Sequence, residues 1–234
     1  MKKIAILTGA GVSKESGLST FRDADGLWEN EKVQDVADIH GWYRNPQKVL
    51  DFYNKLRTGL KNHNPNKAHK IIADLEKDFE VTVITQNVDN LHEKAGSTNV
   101  IHLHGELTKV RGENIIYDMP NVKGIKDIGY SEIHIGDKSD QGYQLRPHIV
   151  WFGEAVPNLT IAAKAVNDAD IMLVVGTSLV VYPAAGLINY VKKGTPIYLV
   201  DPTPINIHYA PYTQIQDVAT KGMEAFEKLI LNEK

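Results

Sequence analysis

Gly9 and Gly11 follow the apolar run Ile4-Ala5-Ile6-Leu7 and lead into Val12-Ser13. Glycines at a strand end let the backbone turn tightly and approach a pyrophosphate, and the helix that follows offers unpaired N–H groups to the anion. The next glycine is Gly17, so the spacing is not G-x-G-x-x-G, and an ordinary strand-to-helix turn fits it equally well. A second apolar run ends in Thr85-Gln86-Asn87-Val88-Asp89. Short amides and carboxylates there can hold hydroxyl and carboxamide partners by directed hydrogen bonds, or can cap the next helix. His102-Leu103-His104-Gly105 supplies imidazoles, whose ordinary pKa of about 6.5 suits proton transfer near neutral pH. On a strand the two histidines share a face; taken alone, such a histidine is usually structural.

These groups need elements to position them. Short apolar, β-branched runs predict strands at Ile4–Thr8, Val81–Thr85, Val100–Leu103, Ile149–Phe152, Ile171–Val175 and Ile197–Val200. Helical periodicity appears in Gln47–Leu60, Asn66–Asp78, Ala184–Val191 and Met223–Leu231, with Asn64-Pro65 as a start signal. Strands alternating with helices imply an α/β fold, Rossmann-like, with a mostly parallel sheet and helices on both faces. From Glu106 to Leu145 the chain turns polar and weakly periodic. A structureless loop of that length would be unusual, so residues 106–145 are expected to form a small inserted module, with 1–105 and 146–234 as the main domain. Within the module 114–117 and 132–135 are expected to pair as short strands, and Ile115, Tyr117, Ile133, Ile135 and Tyr143 to form its core.

The 234 residues are 42% hydrophobic, enough for one large domain with a small insert. A formal net charge of -3 gives no global basic field, so bulk attraction to nucleic acid is not expected. The chain has no cysteine, which excludes disulfides, cysteine zinc sites and cysteine nucleophiles. No run approaches the length of a membrane span, and the N-terminal apolar run is too short for a signal peptide. A cytoplasmic protein without membrane partners is expected.

Five blocks then carry a resemblance. Gly9-Ala10-Gly11-Val12-Ser13 continuing through Ser16-Gly17 to Thr20-Phe21-Arg22, Thr85–His92, His102–Gly105, Leu145–Glu154 and Gly176–Ala184 resemble, in order, the signature motifs of the sirtuin family. The resemblance spans nearly the whole chain. It implies an NAD-dependent protein-lysine deacylase that transfers the acyl group to ADP-ribose and releases nicotinamide. It implies His104 as the base, with Asn87 and Asp89 at the nicotinamide ribose. NAD contacts are implied for Gly9, Ala10, Gly11, Ser13, Phe21, Arg22, Gln86, Gly176, Thr177, Ser178 and Ala219. Asp201, at the end of a predicted strand, could accept from the adenosine ribose; the family usually has Asn there. Acyl-lysine peptides are the implied partners, held as an added strand by Val150, Phe152, Gly153, Glu154 and the segment Leu179 to Val181.

Within the family the chain is most similar to the bacterial and mitochondrial group with enlarged acyl pockets. Ala24 matches a small residue of that group, and Phe52-Tyr53-Asn54 matches the start of its acyl-recognition motif. Two departures stand out. Most sirtuins hold a structural zinc on four cysteines, whereas this chain has none, so no metal is expected. The succinyl-removing members carry Arg three residues after the Tyr. Here Leu56 holds that place and Arg57 follows, rotated by about 100° on a helix, although its long stem keeps it, with Ala24, Tyr53 and Leu56, among the candidate acyl-pocket residues. Acetyl and longer apolar acyl groups are therefore expected over acidic ones. The same NAD site would also serve a mono-ADP-ribosyltransferase or NAD glycohydrolase, or an NAD-binding sensor without activity. A redox dehydrogenase fits the glycine spacing poorly.

Overall fold

The computed structural model describes residues 1–18, 31–118, 122–207 and 211–232. The chain opens with β1 (Lys3–Thr8) and the single turn α1 (Gly11–Lys14). Helices α2 (Val33–Val36), α3 (Ile39–Arg44), α4 (Pro46–Leu60) and α5 (Lys67–Asp74) follow. Next come β2 (Glu80–Thr85), α6 (Leu91–Ala95) and β3 (Val100–His102). A second sheet is built from β4 (Gly105–Gly112), β5 (Lys126–Asp127) and β6 (Leu145–Ile149). The chain returns through α7 (Leu159–Asp168), β7 (Ile171–Val175), β8 (Ile197–Val200), β9 (Thr213–Ile215) and α8 (Ala219–Asn232).

The main sheet has the order β3-β2-β1-β7-β8-β9 with every pairing parallel. Its direction of winding reverses between β1 and β7. In such sheets the ligand crevice lies beyond the carboxyl ends of the strands at that reversal, and both glycine turns, Gly9–Gly11 and Gly176, lie there. Alternation along β1 sends Ile4 and Ile6 to one face, against Ala68, Ile72 and Phe226 of α5 and α8. Ala5 and Leu7 go to the other, against Ala162 and Val166 of α7 and Leu187. Because both faces are covered, the strands read as unbroken apolar runs.

Local signals explain the helix starts. Pro46 occupies the first turn of α4, and the Asn45 side chain accepts from Lys48 N at 3.0 Å. Asn66 and His69 form a reciprocal capping box on α5. This helix starts at Lys67, two residues beyond Asn64-Pro65, and ends in a 3-10 turn at Leu75–Lys77.

Several expectations are corrected. The strand expected at Ile149–Phe152 is Leu145–Ile149, and it joins the small antiparallel sheet. Residues 114–117 and 132–135 form no strands; β4 instead runs for eight residues as the centre of that sheet. Its polar reading concealed it because Thr108 and Arg111 are buried alongside Leu107 and Val110. The segment at Ala184–Tyr190 is 3-10 rather than α-helical, and α8 begins at Ala219 rather than Met223. Helix α7 was not anticipated.

Tyr117 and Ile133 are buried as expected, but Ile135 and Tyr143 are 51% and 47% exposed. The small sheet shares an apolar cluster through Leu107, Val110 and Ile149 and is also tied by polar groups. Glu154 accepts two hydrogen bonds from Arg146, at 2.8 and 2.9 Å, one from Arg111 at 3.2 Å and one from Trp151 N at 2.8 Å. Arg111 also donates to His148 Nδ1 at 3.0 Å, and the Arg146 guanidinium lies 3.6 Å from the Trp151 ring centre. Burial, reinforced by the neighbouring Arg111, Lys109 and Arg146, pushes His148 down to about 3, so it stays neutral and can accept. Among the described residues no cluster of three or more histidines and carboxylates could hold a metal, and no helix is long and apolar enough to cross a membrane.

Candidate active site

The crevice is floored by two turns in close contact. Gly9 N donates to Val175 O at 3.1 Å, Gly11 N to Gly176 O at 2.9 Å, and Gly176 N to Val200 O at 2.9 Å. A Cβ on Gly9 would sit 2.6 Å from the Thr177 Cβ, and one on Gly11 2.6 Å from the Gly176 Cα. Gly176 has φ +61°, and its Cβ would meet Val12 N at 2.4 Å. These glycines thus have a structural reason that spacing does not reveal: they let the β1 and β7 turns lock together. Ala10, Gly11, Gly176 and Thr177 remain partly open to the crevice, and Ser178 is exposed.

Gln86 and Asn87, at the end of β2, complete one wall. Gln86 Nε2 donates to Thr177 Oγ1 at 3.0 Å, bridging β2 to the β7 turn. Asn87 Nδ2 donates to Gly9 O at 3.1 Å and Ser13 Oγ at 3.2 Å. Asp89 is buried. Its Oδ2 accepts from Ser13 Oγ at 3.0 Å, and its Oδ1 from Leu91 N at 3.0 Å, which begins α6. Burial raises its pKa against the lowering effect of those two donors and of His102. Asp89 therefore both starts a helix and faces the Ser13 hydroxyl.

The two histidines separate cleanly. His102 Nδ1 lies 3.0 Å from Asn87 O, and its Nε2 lies 2.8 Å from Glu93 Oε1. Both neighbours are acceptors, so the ring carries both protons. Burial opposes that charge, but Glu93 more than compensates and the pKa is raised. A protonated, buried histidine cannot act as a base. His104 Nδ1 lies 3.0 Å from Gln86 O, so its proton is on Nδ1 and the Nε2 lone pair is left for chemistry. Burial lowers its pKa, partly offset by the Gln86 carbonyl, and the ring is partly exposed.

The remaining expected residues are spread over several elements. Asp201, after β8, accepts from Thr203 N at 2.9 Å. Ala219 is buried in the core at the start of α8. Val150 N donates to His104 O at 2.9 Å, tying the segment after β6 to the base. Phe152 is 49% exposed, and its backbone bonds to Ala37 and Ile39 on either side of Asp38. Gly153 takes φ +88° beside Ile39. Val180, Val181 and Tyr182 are exposed, and with Phe152 they offer apolar surface. The Glu154 carboxylate pairs with Arg146 and Arg111. Phe21, Arg22 and Ala24 lie outside the described residues.

Tyr53 is buried against Trp151, its hydroxyl accepting from Trp151 Nε1 at 2.9 Å. Leu56 is half-buried against the same cluster. Arg57 is fully buried and turned to the small sheet: Nε donates to Leu107 O at 2.6 Å and Nη1 to Asn54 Oδ1 at 2.8 Å. Asn54 in turn pairs with the backbone of Ile133, donating to its O at 2.7 Å and accepting from its N at 3.0 Å. Sequence reasoning placed Asn54 and Arg146 in matched motifs and left Arg111 unmentioned, but gave none of the three a partner, since nothing local marks a group that is met across the fold.

The Sir2 family profile matches residues 9–183. An NAD-dependent protein deacylase of Bacteroides thetaiotaomicron is 50% identical, covering 99% of both chains. One from Helicobacter pylori (strain 26695) is 49% identical, covering 96% of this chain and 95% of that one. A Sir2 homologue solved in complex with NAD superposes with a TM-score of 0.87 at 38% identity, covering 99% of this chain and 90% of the other. A Sir2 variant solved with a deacetylated p53 peptide and 3′-O-acetyl ADP-ribose gives 0.79 at 28% identity, covering 98% and 92%. The fold, the order of the motifs and these likenesses agree: this chain belongs to the Sir2 family.

Proposed function

We propose that His104, Asn87 and Asp89 carry the acyl-transfer chemistry, and that acyl-lysine side chains of proteins or peptides are the groups acted on. The chain is an NAD-dependent protein deacylase. Acyl-lysine, NAD and water yield lysine, nicotinamide and an O-acyl-ADP-ribose. The observation that carries the assignment is the His104 tautomer. With Nδ1 held by Gln86 O, Nε2 is the free base just past the end of β3, beside the β2 turn whose Gln86 reaches Thr177. Such a base takes the proton of a ribose hydroxyl as that oxygen attacks the acyl carbon. Asn87 and Asp89, fixed through Ser13, are assigned to orient the nicotinamide ribose. The turns Gly9–Ser13 and Gly176–Ser178, with Gln86, Asp201 and Ala219, are assigned to the rest of NAD, together with Phe21 and Arg22.

We place the peptide between Val150–Gly153 and Val181, with Glu154 supporting that segment from behind. Tyr53, Leu56 and Ala24 are assigned to the acyl pocket. Arg57 supports the preference for apolar acyl groups by its engagement elsewhere, because its Nε and Nη1 are taken by Leu107 O and Asn54 Oδ1. We also read residues 106–145 as a module inserted between the two halves of the NAD-binding domain, and the protein as cytoplasmic. The test is incubation with NAD and matched peptides bearing acetyl, butyryl, myristoyl, malonyl or succinyl lysine, followed by mass spectrometry. Deacylated peptide and acyl-ADP-ribose are expected. Nicotinamide release without deacylation would instead show a transferase or glycohydrolase using the same site.

A further inference from the structure

The small sheet holds a buried cation that electrostatics alone disfavours. Arg111 on β4 and Arg146 on β6 are 1% and 4% exposed, and both bond to one carboxylate, Glu154. Arg146 by itself occupies both oxygens of Glu154, at 2.8 and 2.9 Å. His148, which accepts from Arg111, stays neutral. Among the described residues, two guanidinium groups thus share a single bonded counter-charge, where each buried ion is costly unless it is paired. Burial and the like charge of Arg146 push Arg111 down to about 10, so it keeps its charge at neutral pH. Its Nε finds no partner among the described residues. Without Arg111, Arg146 and Glu154 would form a balanced pair.

The strands around Arg111 show what it adds. The ladder between β4 and β6 pairs Gly112 with Leu145 and Val110 with Pro147, breaks, and resumes where Glu106 meets His148. Pro147, at the break, has no N–H to offer. The Arg111 side chain crosses this gap. Its Nη1 donates to His148 Nδ1 at 3.0 Å and its Nη2 to Ile149 O at 3.3 Å, with the Tyr117 ring centre 5.3 Å from the guanidinium. A planar fork with donors in fixed directions can reach several acceptors at once, which a single ammonium cannot. Ile149 is the last residue of β6. The segment that follows it directly, Val150–Gly153, is the one assigned to the peptide. Trp151 of that segment is gripped by the same cluster, its N–H on Glu154 and its ring against Arg146.

We propose that Arg111 is a positioning residue for the peptide substrate: reaching across the break in the β4–β6 ladder, it fixes the end of β6 and with it the peptide segment. The inserted stretch 106–145, through this one side chain, sets how tightly a peptide is held. Arg111 touches no substrate, and its bonds go to His148, Ile149 and Glu154 rather than to the glycine turns or His104. The inference rests on the assignment of Val150–Gly153 to the peptide.

Arg111→Met tests it, with deacylation kinetics on an acetyl-lysine peptide, NAD affinity by calorimetry and thermal unfolding. Met keeps an apolar stem and removes the unbalanced cation. The variant should fold, because Arg146 still meets Ile149 O and both oxygens of Glu154. The KM for peptide should rise about tenfold, with kcat and NAD affinity within about threefold of the parent, the pattern of lost binding rather than lost chemistry. A folded Arg111→Met with the parental peptide KM overturns the proposal. So does a loss of kcat or of NAD affinity as large as the change in peptide KM, which would mark a general loosening of the fold. If Arg111→Met does not fold, Arg111→Lys decides, since it keeps the charge but not the fork. A raised peptide KM with parental kcat and NAD affinity then supports the proposal, and a parental KM overturns it. If neither variant folds, Arg111 is structural and the proposal is overturned. If the parent itself deacylates no peptide, the functional assignment has failed instead. Hydrogen exchange at the Trp151 and Phe152 amides then reads the inference: faster exchange in the variant than in the parent supports it, and equal exchange overturns it.

Discussion

The Nδ1 of His104 lies 3.0 Å from the backbone oxygen of Gln86, and this one contact decides which nitrogen of the histidine is basic. His102, two residues earlier, meets the next carbonyl along, that of Asn87, at the same distance. Consecutive carbonyls thus orient alternate histidines. Only the far nitrogen differs: Glu93 captures that of His102 and leaves that of His104 free.

His104→Ala should therefore lower kcat by about a hundredfold to ten-thousandfold with NAD binding retained. The pH profile follows from the direction of the shift. Burial lowers the His104 pKa, so the neutral, active ring persists below about 6.5, and activity is lost only as pH falls through the lowered value. An acid limb of kcat/KM centred above 6.5 would point to another base.

Arg57 and Leu56 make opposite predictions. Arg57→Leu strips Leu107 O and Asn54 Oδ1 of a buried donor, and should cost about 2–3 kcal/mol in urea unfolding with the acyl ranking unchanged. Leu56→Arg should raise the succinyl-to-acetyl rate ratio by placing a cation beside Tyr53. A collapse of succinyl activity alone in Arg57→Leu would show that this arginine serves the acyl group after all.

Glu154→Ala leaves Arg111 and Arg146 buried with no counter-charge. Breaking such a cluster from one side costs about 3–5 kcal/mol, so a large drop in the denaturation midpoint is expected. An unchanged midpoint would mean that the small sheet is held by its apolar contacts.

Acid should destabilise the fold through its neutral histidines. Burial pushes His69 down to about 4, slightly offset by Glu93; His92, Ser13 and, through Ser13, Asp89 also face it. The unfolded chain takes up a proton near pH 6.5 that the folded ring refuses. The contribution of His69 is therefore complete above about 6.5 and falls away as pH drops toward 4, by about 3 kcal/mol in all. His69→Gln should flatten the stability slope in that window. Urea titrations at steps of half a pH unit measure it, and an identical slope in the variant would count against a buried neutral His69.

Gly176→Ala tests the contact between the two turns. The residue would need φ +61°, and its Cβ would strike Val12 N. A loss of about 3 kcal/mol or more is expected, together with loss of NAD binding by calorimetry. A stable Gly176→Ala that binds NAD normally would show that the turns can separate without harm.

Much of this was legible in the chain itself. The parallel sheet followed from β-branched runs alternating with helical periodicity, because strands buried on both faces must be apolar throughout. The motif order singled out His104, Asn87 and Asp89 as candidates for the site, which the proposed function adopts. The length of α4 followed from its periodicity; Pro46 at its first turn is what begins it.

What only the tertiary structure decided concerns partners distant in sequence. No local pattern shows that Arg57 reaches Leu107, that Glu154 serves Arg111 and Arg146, or that β4 is a strand despite its buried Thr108 and Arg111. The same holds for the fates of His102 and His104, which differ by a carboxylate on α6. Sequence periodicity reports which residues leave water, since that depends on local spacing. Which polar group a buried donor meets depends on where other elements come to rest, and the packed fold alone supplies that.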